Sequence, residues 1–185
     1  MRINTIETEY LFIRDVKESD AQDVYEIKND ELVQRYSPDF LLYLPTYEDI
    51  KEEFHFMENF KNIFGGLNEK YAVCLKESGE LIGVIEIYDC SDFEETQISW
   101  HFSSKHTGKG YASEASIAIT EYLFNKLDID CICATMDINN IASYRTAEKS
   151  GFKRVGKFEY WRAQSGEVYY YKRQNNYAVN LRKTA

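Results

Sequence analysis

The 185-residue chain sets 22 Lys and Arg against 31 Asp and Glu, a formal charge of −9, with 44% hydrophobic and 29% charged residues. This is the balance of a soluble globular domain with a sizeable core, and its sign argues against a nucleic-acid backbone as the main partner. No apolar run reaches the ~18 residues of a membrane span, and "MRINTIETEY" at the start precedes no apolar block, so neither a bilayer nor a secretory route is expected.

Residues 10–16, "YLFIRDV", alternate rings and branched side chains with other types and predict a strand. Residues 18–30 predict a helix capped by Ser19, with Ala21, Val24, Tyr25 and Ile27 at helical spacing. The two prolines, Pro38 and Pro45, bound the next stretch, and Thr46 then caps a second helix running to Lys61, striped by Ile50, Phe54, Met57 and Phe60 and closed by the glycines at 65–66. Residues 70–77 and 79–89 read as strands joined by a hairpin turn at Ser78-Gly79, and 96–103 as a third. A long helix over 111–127 carries Ala112, Ala115, Ala118, Ile119, Tyr122, Leu123 and Leu127 on its apolar positions. "CICATMDI" at 131–138 reads as a strand covered on both faces. Residues 139–152 form a short helix that begins on an Asn and ends at Gly151. Two closing strands flank Ser165-Gly166. The order is β-α-α-β-β-β-α-β-α-β-β: one mixed α/β domain over 1–185, with a largely antiparallel central sheet and one βαβ crossover.

Cys74, Cys90, Cys131 and Cys133 lack CxxC spacing and sit in strand-like runs, so they read as reduced thiols of a cytoplasmic protein. His55, His101 and His106 cluster with no Cys or Asp at ligand spacing, and no metal is expected.

The segment "SSKHTGKGYASEA" (103–115) lies between a strand and the long helix. A helix N-terminus offers free N–H groups and a positive dipole end, and glycines before it let an anion approach the backbone. The P-loop pattern fails because Tyr111 follows Gly110, and a dinucleotide GxGxxG fails because Ser113 stands where the third glycine belongs. A nucleotide-binding module would need this turn alone to hold ATP or NAD.

With "NNIASYRTAEKSGF" following in order, the chain resembles the GNAT superfamily of acyl-CoA N-acyltransferases, and more narrowly the branch that includes the ribosomal-protein alanine acetyltransferases. The pyrophosphate motif of that family falls on Lys105, Gly108 and Gly110, with lysine as a departure at its first position; Asn140, Ser143, Lys149, Gly151 and Phe152 match the second motif. The resemblance implies acetyl-CoA as co-substrate, its pantetheine arm between splayed strands 96–103 and 131–138. It also implies main-chain contacts from Trp100, Phe102 and Ser103, a pyrophosphate held by Thr107, Gly108, Lys109, Gly110, Tyr111 and Ala112, and a hydrogen bond from Asn140 near the thioester. The implied reaction is direct acetyl transfer in a ternary complex to a primary amine, on a peptide N-terminus or a small molecule.

Many members use a tyrosine acid seven residues beyond the Asn; here that position is Ala147. The branch instead implies Ser143 near the thiol, as acid or hydrogen-bond donor, with Tyr144 behind it; a helix-start serine bonding its own backbone is the plain alternative. Ala147 also keeps open a non-catalytic acyl-CoA sensor or interaction domain. Glu86, a carboxylate within an apolar strand, is a candidate base if its pKa is raised in a cleft, and otherwise an ion-pair partner of a neighbouring strand. Acceptor-side residues 35–45 and 158–171 are aromatic without naming an amine. Tyr169, Tyr170 and Tyr171 are expected to line an edge that a second copy would use as a homodimer.

Overall fold

The computed structural model describes residues 5–37, 44–60, 67–90, 95–127 and 129–175. The expected strand segments become β2 (Leu11–Asp15), β3 (Asn68–Leu75), β4 (Leu81–Cys90), β5 (Glu95–Phe102), β6 (Cys131–Asp137), β7 (Lys153–Glu159) and β8 (Glu167–Gln174), and an unexpected two-residue strand, β1 (Ile6–Glu7), precedes them. They join in one sheet of order β1-β2-β3-β4-β5-β6-β8-β7. Every neighbouring pair is antiparallel except β5 and β6, which α4 (Tyr111–Lys126) joins in parallel.

The sheet divides two cores. On one face the α4 positions Ala115, Ile119 and Leu123, all wholly buried, meet Ile13, Val73, Ile85, Ile87 and Ile132. Ala147 of α5 (Ile141–Lys149) joins the same core. Truncating a side chain such as Leu123 here would cost about 2–5 kcal/mol. On the other face α1 (Ala21–Lys28) and α3 (Tyr47–Asn59) place Val24, Ile27, Ile50, Phe54 and Met57 over Ala72, Cys74 and Val84. The expected i, i+4, i+7 stripe of α3 is therefore a core stripe. Its start is a capping box, in which Thr46 Oγ1 accepts from Asp49 N (3.2 Å) and Asp49 Oδ2 accepts from Thr46 N (2.8 Å).

Several expectations change. Ser19 is not the cap of α1: Glu18–Asp20 make a short 3-10 turn, and Asp20 precedes the helix, held by Arg14 (2.6 and 2.8 Å) and by the Lys17 N–H (2.8 Å). A further helix, α2 (Glu31–Tyr36), follows at once, with Asp30 Oδ1 accepting from Leu32 N at 2.9 Å. The glycines at 65–66 lie outside the described residues, as do 38–43 of the proline-bounded stretch. Tyr169, Tyr170 and Tyr171 do not line an edge, because β8 runs between β6 and β7. Tyr171 is core, Tyr170 donates to Glu95, and Tyr169 packs on Tyr144 and under Arg154. The edge strand on this side of the sheet is β7.

Candidate active site

β5 is paired with β4 along its whole length, from Gly83 opposite Phe102 to Cys90 opposite Glu95. Against β6 it pairs at a single position, Gln97 opposite Cys133. The two parallel strands therefore touch near their starts and stay unpaired toward their C-terminal ends, leaving a wedge between Phe102 and Asp137.

Hydrogen-bond direction alternates along an antiparallel ladder. Ser103 N donates to Ile82 O at 3.0 Å, so every second residue before it also faces β4. Trp100 and Phe102 fall on the other phase and turn their N–H and C=O groups into the wedge. Ser103 departs from its expected role: its N–H goes to Ile82 and its carbonyl accepts from His106 N at 3.1 Å, so its backbone is already engaged. Phe102 and Gly83 form a close pair, and a Cβ on Gly83 would lie 2.5 Å from the Phe102 ring. The glycine is what lets that ring lie across β4.

At the mouth of the wedge the chain turns into α4. Gly108 and Gly110 both take left-handed backbone angles (φ 83° and 88°), with open space where a side chain would stand. Such angles cost other residues roughly 1–2 kcal/mol. Gly110 is the N-cap of α4 and supplies no side chain, so the first-turn N–H groups of Tyr111 and Ala112 face outward without a capping oxygen. Thr107, Gly108, Lys109 and Gly110 are exposed. The nearest first-turn acid is drawn aside: Glu114 accepts from Thr8 Oγ1 (2.5 Å) and Tyr10 N (2.9 Å). Backbone donors and the helix dipole, with exposed Lys109 in the same turn, are features that favour an anion.

Across the wedge, Asn140 caps α5, its Oδ1 accepting from Ser143 N at 3.1 Å. Its amide NH2 and the Ser143 hydroxyl make no hydrogen bond among the described residues. The serine hydroxyl is half-buried and does not bond its own helix, against the plain structural alternative. Tyr144 instead packs its ring on Tyr169, centroids 6.0 Å apart, and Ala147 is wholly buried.

Glu86 is a different group from the expected base. It lies on the α1 and α3 face of β4, where Lys28 Nζ (2.8 Å) and Lys70 Nζ (3.2 Å) both reach its Oε1. Burial alone would raise its pKa, but the two ammonium groups outweigh that and hold the carboxyl well below the usual range. Lys70 also meets Glu53 (2.9 Å) and, despite its burial, is pushed up to about 12. Glu86 is thus an ion-pair partner tying α1 and α3 to the sheet, and its Lys28 partner was not foreseen. His101, on the same face, is lowered to about 4 by burial, so it is neutral at neutral pH. His55 and His106 pair with Glu18 and Glu80. Among the described residues no three His, Cys, Asp or Glu side chains group as metal ligands.

A second unforeseen residue is Asp30. Besides capping α2, its Oδ2 accepts from Ser104 N at 3.0 Å, tying the α1–α2 junction to the glycine turn. Burial works against its ionisation, but the hydrogen bonds from Ser104 and from the backbone of α2 keep its carboxyl below the usual range.

The fold that carries this site is matched by known proteins. The family model "Acetyltransferase (GNAT) domain" covers residues 10–153. The chain belongs to the GNAT acetyltransferases. It is 38% identical over 155 residues to the uncharacterized N-acetyltransferase YnaD of Bacillus subtilis, covering 83% of this chain and 85% of that protein. A GNAT-family acetyltransferase structure from Bacillus anthracis is 30% identical, with TM-score 0.75 over 93% of this chain and 99% of the other. Two more distant structures share the fold. The ribosomal-protein-S5-alanine acetyltransferase of Vibrio fischeri is 19% identical, with TM-score 0.77 over 94% and 98% of the chains. AAC(6')-Ib, in complex with paromomycin and acetyl-CoA, is 21% identical, with TM-score 0.70 over 93% and 97%.

Proposed function

We propose that this single-domain protein is a cytosolic acetyl-CoA-dependent N-acetyltransferase that moves the acetyl group directly to a primary amine within a ternary complex. The observation that carries the reading is the wedge between β5 and β6, open toward a glycine turn that presents helix N–H groups. The residues suit the donor. Thr107 to Ala112 would hold the pyrophosphate, the main-chain groups of Trp100 and Phe102 would pair with the pantetheine amides, and the Asn140 amide would meet the donor near its thioester. Once bound, acetyl-CoA supplies an activated acyl carbon and a thiolate leaving group.

The chain's own part is positioning and proton supply. The Ser143 hydroxyl, uncommitted to the helix and next to the cap of Asn140, is the donor to the departing sulfur. With Glu86 bound by two lysines, no side-chain base is assigned, and the amine's proton passes to water. The acceptor is a primary amine of a peptide N-terminus or of a small molecule.

The test is CoA release from acetyl-CoA with N-terminal peptides, polyamines and aminoglycosides as acceptors, beside calorimetry of acetyl-CoA binding. Release with at least one acceptor class is expected. Binding without release across the panel would favour a sensor, the reading that Ala147, buried where other members carry a tyrosine, supports.

A further inference from the structure

Resting on the donor placement proposed above, we infer that Gln97 and Thr135 set the length of the acyl group this protein accepts. The phosphate seat lies at the wide mouth of the wedge, so the acyl end of the donor points toward its apex, where Gln97 pairs with Cys133. That apex is closed on three sides. The paired backbones form its floor. On the α4 face Ile98 and Ala134, each 1% exposed, belong to the main core. On the opposite face the Gln97 side chain reaches across the gap, its Nε2 donating to Thr135 Oγ1 at 2.8 Å.

The bridge spans the first open rung of the wedge. Ser99 and Thr135 would be the next partners if parallel pairing continued, and the Gln97 amide lies over that position instead. Gln97 is 6% exposed and Cys133 wholly buried, so neither has free space to retreat into. A two-carbon acyl group ends before this bar. Each further methylene must either break a buried amide–hydroxyl hydrogen bond or press into the Ile98 and Ala134 core, both unfavourable. The transfer is the same for any donor: the amine nitrogen bonds the thioester carbonyl carbon, the C–S bond breaks, the sulfur leaves as the CoA thiol after taking a proton, and the ammonium proton goes to water. Selection therefore occurs at acyl accommodation.

The experiment is calorimetry of free CoA and of acetyl-, propionyl- and butyryl-CoA with the wild type, Thr135→Ser, Thr135→Ala and Gln97→Ala. In the wild type, acetyl-CoA should bind as well as CoA, and affinity should fall about 10-fold or more for each added methylene. Thr135→Ser keeps the hydroxyl and should keep that ladder. Thr135→Ala and Gln97→Ala should narrow the gap between butyryl-CoA and acetyl-CoA by about 10-fold or more, the worth of at least one methylene. A wild type that binds butyryl-CoA as tightly as acetyl-CoA overturns the inference, as does an unchanged ladder in both alanine variants whose melting curves match the wild type. Failure of the wild type to bind any of the four ligands would instead overturn the donor reading, and this inference with it.

Discussion

The two halves of the molecule solve different problems with different materials. The half from β5 through α5, the proposed donor side, works mainly through backbone: open N–H groups at α4, left-handed glycines, a strand whose main chain faces a gap. The half from α1 through α3 lies over the opposite sheet face and works through side chains. It buries Lys28, Glu86 and Lys70 as a connected charge network, with half-exposed Glu53 at its rim. Backbone sites tolerate changes of side chain as long as the φ angles survive, whereas a buried charge network depends on each member. Changes in the exposed glycine turn and at the α5 cap should therefore show in binding and catalysis, and changes in the buried charge network, which His101 of β5 faces, in stability.

The sharpest test of that division is Ser143→Ala. Loss of a proton donor in the transition state should lower turnover on the order of 10²-fold or more, with acetyl-CoA affinity and melting temperature unchanged. Equal turnover with a good acceptor would remove Ser143 from the chemistry. Comparable in size is Glu86→Gln, which leaves two buried ammonium groups facing a neutral amide. It should cost roughly 3–5 kcal/mol of stability, read by urea unfolding, while the pH–rate profile of the folded enzyme keeps its shape. A lost alkaline plateau with intact stability would return Glu86 to the role of base.

A third test uses pH. The folded pKa of His101 lies near 4 against an ordinary 6.5, so the fold favours its neutral form. Its stabilisation is fully present above pH 6.5 and is lost as pH falls from there through 4. A loss on the order of 3 kcal/mol is expected over that window, and His101→Gln should flatten it. Identical curves for the two proteins would show that His101 does not carry this slope. The smallest effect belongs to Gly110→Ala. Strain of roughly 1–2 kcal/mol in the αL turn should weaken acetyl-CoA by about 5- to 30-fold, with turnover at saturation close to the wild type. A loss of stability with unchanged affinity would place the turn outside the donor site.

What was legible in the sequence follows the same division. The Gly108–Gly110 turn and the α5 cap could be read because each is a local pattern, complete within a few residues. The alternation of β2, the apolar run of β6 and the α3 stripe were legible for the same reason. The partners of Glu86 were not, because Lys28 stands 58 positions away in sequence and only the packing of α1 on β4 brings it close. Gln97 and Thr135 are likewise ordinary polar strand residues until two parallel strands meet beside them. The three consecutive tyrosines misled because their apparent cluster ignores the strand's alternation: Tyr171 faces one core and Tyr170 the opposite side of the sheet. α2 escaped because Asp30 reads as the tail of α1 when it is the head of the next helix. The two-residue β1 has no periodicity to detect.

Asp30 has one carboxylate and two dependants, the first turn of α2 through one oxygen and Ser104, at the entrance to the glycine turn, through the other. The two oxygens are rigidly joined, so a rotation that improves one bond worsens the other. Any shift of α2 therefore pulls on Ser104 and the chain that leads into the glycine turn, and anything that settles that chain steadies α2 in return. A single side chain thus joins the start of α2 to the entrance of the glycine turn.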